Sequence, residues 1–478
     1  YEISACLVGS EMCIRDSRLT GPYLYTNRCG KPVDELWTNL GPEVINISYT
    51  GSRSIIHRVI QIDFSSISAF LTGFSTYPQP LRLRLRIFTI FFLYKQTHQT
   101  VRKGELSTIM KLVFDKADLV KSVGIAMKAV SGKTTMPILE CILIDASSNV
   151  IKFTSNDMEL GIETIVTGMI LERGIVALDA KIFSEIVRKL PDNQVTIETD
   201  ENLVTTITCE KAKFNIPGQS GEDFSYLPIL ETSDCVSISQ FTLKELIRQT
   251  IFSIAANENN KLMTGELFEI KDNTLRVVSL DGHRIAIRRI ELKDSYPDRK
   301  VVVPGKTLNE ISKILSGEMD DQIDIYFSEN HIMFKFDDTT VVSRLIDGEY
   351  FRIDQMLSSD YETKVTINKK EFLSCIDRAT LLVKEGDKKP IIIDIQDGAM
   401  ELQINSAMGS MKEEIDINKE GKDIMIGFNP KFLIDALRVI DDEEISIYLV
   451  NPKAPCFIRN EEESYIYLIL PVNFNSVR

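Results

Sequence analysis

Histidine is scarce in this chain: among 478 residues there are only His57, His98, His283 and His331. Its eight cysteines include no Cys-x-x-Cys pair. Zinc-finger and dithiol redox spacings are thereby excluded, which predicts a reduced, intracellular protein with neither structural metal nor cofactor. Long apolar runs are missing too. The longest, IFTIFFLY at 87–94, falls far short of the ~20 residues of a membrane helix and lies too deep for a signal peptide. A cytoplasmic location is the expectation. No G-x-x-x-x-G-K-[ST], G-x-S-x-G or H-E-x-x-H motif occurs, so the familiar phosphate loop, serine nucleophile and zinc-protease helix are absent. Nor is there a helix-turn-helix signature or an aromatic-rich strand on which single-stranded bases could stack. What remains is 44% hydrophobic and 26% charged, ordinary for a globular protein with room for about three domains.

The first 109 residues differ from the rest. They start without Met, hold the only Trp and carry LRLRLRIFTIFF without capping or turn logic. The opening ACLVGSEMCIRDS resembles a translated sequencing adapter and the remainder translated non-coding DNA, so residues 1–109 are expected to be a spurious extension, with Met110 as the start.

From Met110 the chain repeats itself. A strand followed by a helix occurs at 110 (MKLVFDKADLVKSVGIAMKAV), 236 (VSISQFTLKELIRQTIFSIAA) and 364 (KVTINKKEFLSCIDRATLLVK). A second such unit follows each, at 174 (GIVALDAKIFSEIVRKLP), 300 (KVVVPGKTLNEISKILS) and 423 (DIMIGFNPKFLIDALRVI). Alternating apolar residues give way to a polar turn and then to helical spacing, and about three further alternating runs follow each helix. This pattern predicts an α+β protein of three similar domains, 110–231, 232–363 and 364–478, each with two helices packed on antiparallel sheets.

Acidic charge dominates, with a formal net of −14. Its distribution matters more than its sum. From Met110 onward there are 43 basic and 61 acidic side chains, yet the six helices expected at 115–133, 179–190, 242–254, 305–315, 368–384 and 430–440 hold 17 basic and 9 acidic ones. Basic helices in an acidic protein point to one surface suited to a polyanion and another that repels it. Without base-reading machinery, such a surface would hold DNA by its phosphates, weakly and without regard to sequence.

The stretch LRVVSLDGHRIAIRRIEL at 275–292 brings Asp281 within two residues of His283. One reading is half of an acid/base device. The other is an Asp-Gly turn between two half-buried strands, since Gly tolerates positive φ.

Seven further motifs stand in order between Met110 and about Val472: MKLVFDKADLV, TMPILECILI, FSIAANENNKLMTGELFEI, VVSLDGHRIAI, VVVPGKTLNEI, SRLIDGEYF and the closing YLILPV. Through them the sequence resembles the bacterial DNA polymerase III beta subunit, the sliding clamp. The resemblance implies a non-enzymatic processivity factor: a head-to-tail homodimer whose six domains surround duplex DNA. The implied partners are the polymerase catalytic subunit, the clamp-loader complex and other replication and repair proteins with short clamp-binding peptides. Family positions facing DNA match Lys133, Lys181, Arg188 and Lys306; helix charge adds Lys244, Arg248, Lys313, Arg378 and Lys431. The implied peptide pocket comprises Met263, Leu280, Gly282, His283, Arg284, Ile285, Phe351, Gln355, Met356, Pro455, Leu468, Ile469, Leu470, Pro471 and Val472. The implied subunit contact sets Phe214 and Ile216 against Leu381 and Leu382. Phe351 and Gln355 stand where the family commonly has Pro and Arg, and the tail NFNSVR runs past the usual end. An enzyme using Asp281 and His283, and a scaffold ring that does not touch DNA, are the competing readings.

Overall fold

The computed structural model describes residues 110–132, 134–230, 235–256, 260–358, 360–383 and 389–474. The expectations for residues 1–109 and for Lys133 lie outside them. Six α-helices occur among the described residues: α1 (Lys116–Ala126), α2 (Ala180–Lys189), α3 (Gln240–Arg248), α4 (Gly305–Ile311), α5 (Lys369–Thr380) and α6 (Pro430–Val439). The polar turns of the repeats are mostly N-caps. Asp179 accepts the Ile182 amide at 2.7 Å, Ser239 that of Thr242 at 3.0 Å, and Asn368 that of Glu371 at 3.1 Å. Asn429 caps α6, with Pro430 at the first helical position, where its missing N–H leaves no bond unmade.

The helices are shorter than their spacing predicts, mainly at the C-terminal ends of α1, α3, α4 and α5. After α1 and α3 the chain tightens into 3₁₀ turns, Met127–Ala129 and Ile251–Ser253, and then extends at Val130 and Ile254. Of these residues, Ala129 and Phe252 turn their apolar side chains into the next domain, whereas Met127, Val130 and Ile251 stay with the core of their own. Counted over the observed helices, there remain 13 basic and 7 acidic side chains.

Two backbone seams join the three domains. Strand Leu160–Val166 of the first domain pairs antiparallel with Thr339–Arg344 of the second, within a thirteen-stranded sheet. Strand Arg284–Glu291 of the second pairs antiparallel with Tyr465–Ile469 of the third, within a nine-stranded sheet. A third, four-stranded sheet ends at Gly409–Asp416, which among the described residues pairs on one side only. Each seam also shares hydrophobic core. Ala129, Leu160 and Ile162 pack into the core of the second domain, and Ala286 and Phe252 into that of the third.

The helices form one row across these seams. α1 lies on α2, and α4 lies on the end of α1. In the second domain, Lys244 of α3 donates to the Leu315 carbonyl just beyond α4. At the next seam Arg248 of α3 meets Asp441 just past α6 at 2.9 Å, and α6 packs on α5.

One buried group breaks the apolar pattern. Glu266, on strand Gly265–Lys271, has no exposed surface, and both carboxyl oxygens lack a hydrogen-bond partner among the described residues. The nearby Thr250 hydroxyl favours ionisation slightly, but it donates to the Leu246 carbonyl at 2.6 Å. Burial pushes the carboxyl up to about 8. A raised folded-state value means that the folded chain holds a proton which the unfolded chain releases, so stability falls as pH rises through the window from about 4.5 to about 8. The loss should be on the order of a few kcal/mol. Urea midpoints of wild type should therefore fall between pH 5.5 and 8, and those of Glu266→Gln should fall much less. Parallel curves for the two proteins would show that Glu266 holds no such proton.

Candidate functional site

The Asp281–Gly282 stretch is a turn between strands Thr274–Leu280 and Arg284–Glu291, with Gly282 at φ +86°. Asp281 Oδ1 accepts the amides of His283 and Arg284 at 2.9 and 3.1 Å, and Oδ2 accepts from Arg284 Nε at 3.0 Å. Both carboxylate oxygens thus hold the turn. The His283 ring stacks on Phe432 of α6 at 6.0 Å. The pair is a structural turn with an aromatic neighbour, so the acid/base reading fails on geometry.

Strand alternation then sorts the expected pocket residues. Leu280, Ile285 and Leu468 point into one buried apolar cluster, joined by half-buried Met263, Phe351 and Leu470. Arg284 and Ile469 belong to the other face, which corrects their assignment to the same pocket. Adjacent residues on a strand project to opposite sides. The Ile469 side chain enters the core of the third domain. Arg284 lies between the rings of Phe252 and Phe432, at 5.3 and 4.6 Å, and reaches Asp435 of α6 at 2.7 Å and the Phe252 carbonyl. It is a buried bolt across the seam between the second and third domains, where charge and stacking reinforce each other.

Of the remaining expected pocket residues, Gln355 and Met356 are exposed, whereas Pro455, Pro471 and Val472 are half-buried. Asp354 beside them pairs with Arg276 at 2.6 Å, and that guanidinium holds its carboxyl below the usual range. The pair ties the turn Ile353–Gln355 to strand Thr274–Leu280. Leu262, Tyr350, Ile353 and Leu357 also face this cluster, and sequence reasoning misses them. The parity of GELFEI and LRVVSL carries a usable signal, since Leu267 and Val278 alternate in phase with Leu280. The cluster is largely buried and apolar, with a few polar groups around it and no carboxylate, imidazole, amine or thiol among the residues that form it.

The basic residues divide as well. Lys181, Arg188 and Lys431 are exposed on α2 and α6 and form no ion pair among the described residues. Lys306 instead pairs with Asp157 of the first domain, and Arg248 with Glu245 and Asp441, so both help to hold seams. Arg378 pairs with Glu413, Lys313 with Glu310, and Lys244 donates to a carbonyl. Of the proposed subunit contacts, Leu381 is 74% and Phe214 40% exposed, whereas Ile216 is buried and Leu382 half-buried.

Comparison with known proteins places this geometry. Family models described as the DNA polymerase III beta subunit match in chain order: the N-terminal domain at 110–228, the central domain at 237–351 and the C-terminal domain at 354–473. A beta sliding clamp of Staphylococcus epidermidis is 33% identical over 375 residues, which span 76% of this chain and 99% of that protein. A crystal structure from Eubacterium rectale assigned to the DNA polymerase III beta subunit is 71% identical with a TM-score of 0.75, covering 76% of this chain and all of that one. The DNA polymerase sliding clamp of Bacillus subtilis is 35% identical with a TM-score of 0.74, covering 77% of this chain and all of that one. Taken with the three repeats, the two seams and the turn that forecloses chemistry at Asp281, these matches show that the chain belongs to the family of bacterial DNA polymerase III beta subunits, the sliding clamps that act as non-catalytic processivity factors of the replicative polymerase.

Proposed function

We propose that two copies of this chain close head to tail into a six-domain ring around duplex DNA, and that the groove beside Leu280 docks peptides from the polymerase catalytic subunit, the clamp loader and other replication and repair proteins. The carrying observation is the repeated seam. In both internal seams, a strand of the domain's hairpin sheet pairs with the last strand of the next domain, and the end of the first helix lies against the next domain's second helix or the turn after it. The third domain presents the same two parts unused, Gly409–Asp416 and Leu381–Val383. The first domain presents the matching acceptor strand, Ala212–Gln219, which carries Phe214 and Ile216. Charge supports the match. The donor strand holds Glu413, paired with Arg378, and Glu414 and Asp416 against one Lys412, and the acceptor side holds Lys211 and Lys213 against one Glu210. A head-to-tail contact closes if its rotation allows and otherwise grows into a filament; two three-domain arcs close it. The reading includes the boundaries 110–231, 232–363 and 364–478 and a cytoplasmic location, in keeping with helices none of which, among the described residues, is long and apolar enough to cross a membrane.

Removing Leu381 and Leu382 together tests the ring. The double Ala variant should lose roughly 2–5 kcal/mol per leucine buried in the interface and sediment as a monomer at low micromolar concentration, where wild type is a dimer. A persistent dimer would move the interface elsewhere.

DNA retention is the second test. Wild type loaded on circular duplex should stay, and on linear duplex should slide off. Reversing Lys181, Arg188 and Lys431 to Glu should weaken duplex binding by the same factor on every sequence, and reduce the salt slope by about 0.9 for each phosphate no longer neutralised. Lys306 is unsuited to this test, because a glutamate there would face the buried Asp157 carboxylate across a seam. A scaffold that does not touch DNA would show neither retention nor salt dependence.

For the groove, the probe is a fluorescent peptide from the polymerase's clamp-binding segment. Leu280→Asp and Leu470→Asp each place a charge against the apolar cluster, at a cost of several kcal/mol, and should abolish binding with the dimer intact. His283→Ala should weaken binding only moderately. Wild-type affinity in Leu280→Asp would put the partner site elsewhere.

A further inference from the structure

The side of the groove that Leu470 lines belongs to the C-terminal tail, which runs on through Pro471 and Val472. Beyond strand Tyr465–Ile469 the chain crosses to strand Ile424–Phe428, the end of the four-stranded sheet opposite Gly409–Asp416. The tail is held at three points. Leu470 donates its amide to the His283 carbonyl at 2.8 Å, and Val472 donates to the Gly427 carbonyl at 2.8 Å. The third point is a side chain. The Phe474 ring lies over Gly427, so close that a Cβ built on Gly427 would sit 2.6 Å from Phe474 Cδ1 and 3.0 Å from the Val472 carbonyl oxygen. Gly427 does not lie in the left-handed region; what position 427 requires of its residue is room.

Between the anchors, Pro471 has a restricted φ, so the two bonds and the ring together determine where Leu470 and Val472 sit. Leu470 packs against the cluster that contains Leu280 and Leu468. Freed from the sheet, this segment would have to be ordered when a peptide binds, and that entropy would be subtracted from affinity.

We propose that Phe474 is a positioning residue of the peptide groove: seated on Gly427, it latches the tail to the third domain's sheet and so holds the Leu470 side of the groove ready for a short hydrophobic peptide. This rests on the groove reading of Leu280. Phe474 itself touches no peptide; it acts through the backbone of Val472.

Peptide titration, stopped-flow dissociation, sedimentation and thermal melting of full-length variants test it. Phe474→Ala should weaken peptide affinity by about three- to tenfold, mainly through faster dissociation, with the dimer and the melting temperature unchanged. Gly427→Ala, which leaves the tail sequence intact, should do the same by displacing the ring. The double variant should be no weaker than Gly427→Ala alone, because the added Cβ, which also presses on the Val472 carbonyl, has already unseated the ring. Phe474→Leu should restore most of the affinity. Wild-type affinity in Phe474→Ala, alongside abolished binding in Leu280→Asp, would overturn the latch and leave the groove standing. Additive effects in the double variant would also overturn it, and binding retained in Leu280→Asp would remove the groove reading and this one with it.

Discussion

Antiparallel pairing of one domain's edge strand with the last strand of the next is the constraint on which the rest of this molecule depends. An unpaired edge is a liability, because its amides and carbonyls attract any other strand. Here the edges of the first and second domains are consumed in order, by Thr339–Arg344 and then by Tyr465–Ile469. Pairing alone would leave the domains free to pivot. Interlocked cores prevent this: Ala129 and Leu160 fill space in the second domain, and Phe252 and Ala286 in the third.

The same seam creates both surfaces of interest. On one face the strand residues Ile285 and Leu468 complete an apolar cluster together with Leu280, while on the other face Arg284 is clamped by Phe252, Phe432, Asp281 and Asp435. Its side chain is 7% exposed. A buried cation is tolerable only when its charge and donors are matched, and the two carboxylates, two rings and one carbonyl supply that match. Groove and helix row are thus opposite sides of one strand, Arg284–Glu291.

Much of this is legible in the sequence. The three repeats, the polar caps and the order of strands and helices follow from local spacing, because each depends on residues a few positions apart. Three things are less legible. Spacing overextends the helix ends because residues such as Phe252 keep helical periodicity while serving a neighbouring domain, and periodicity does not reveal which body an apolar side chain enters. The pocket positions come from resemblance, which does not resolve strand parity; hence Arg284 and Ile469 are grouped with Ile285 and Leu468 although they face away. Basic residues are the least legible. Lys306 and Lys181 look alike in sequence, but only Lys306 has an acidic partner brought to it by tertiary structure, Asp157.

The two internal seams and the proposed one between copies have the same architecture but differ in how their halves meet. Within a chain, the halves are tethered, so a seam that opens faces its partner at a high effective concentration and recloses without delay. Between copies no tether exists, and reclosure is a bimolecular event that slows with dilution. A ring built from six such seams is therefore least persistent at the two that cross between chains, and those are the places where it would part to admit a DNA strand.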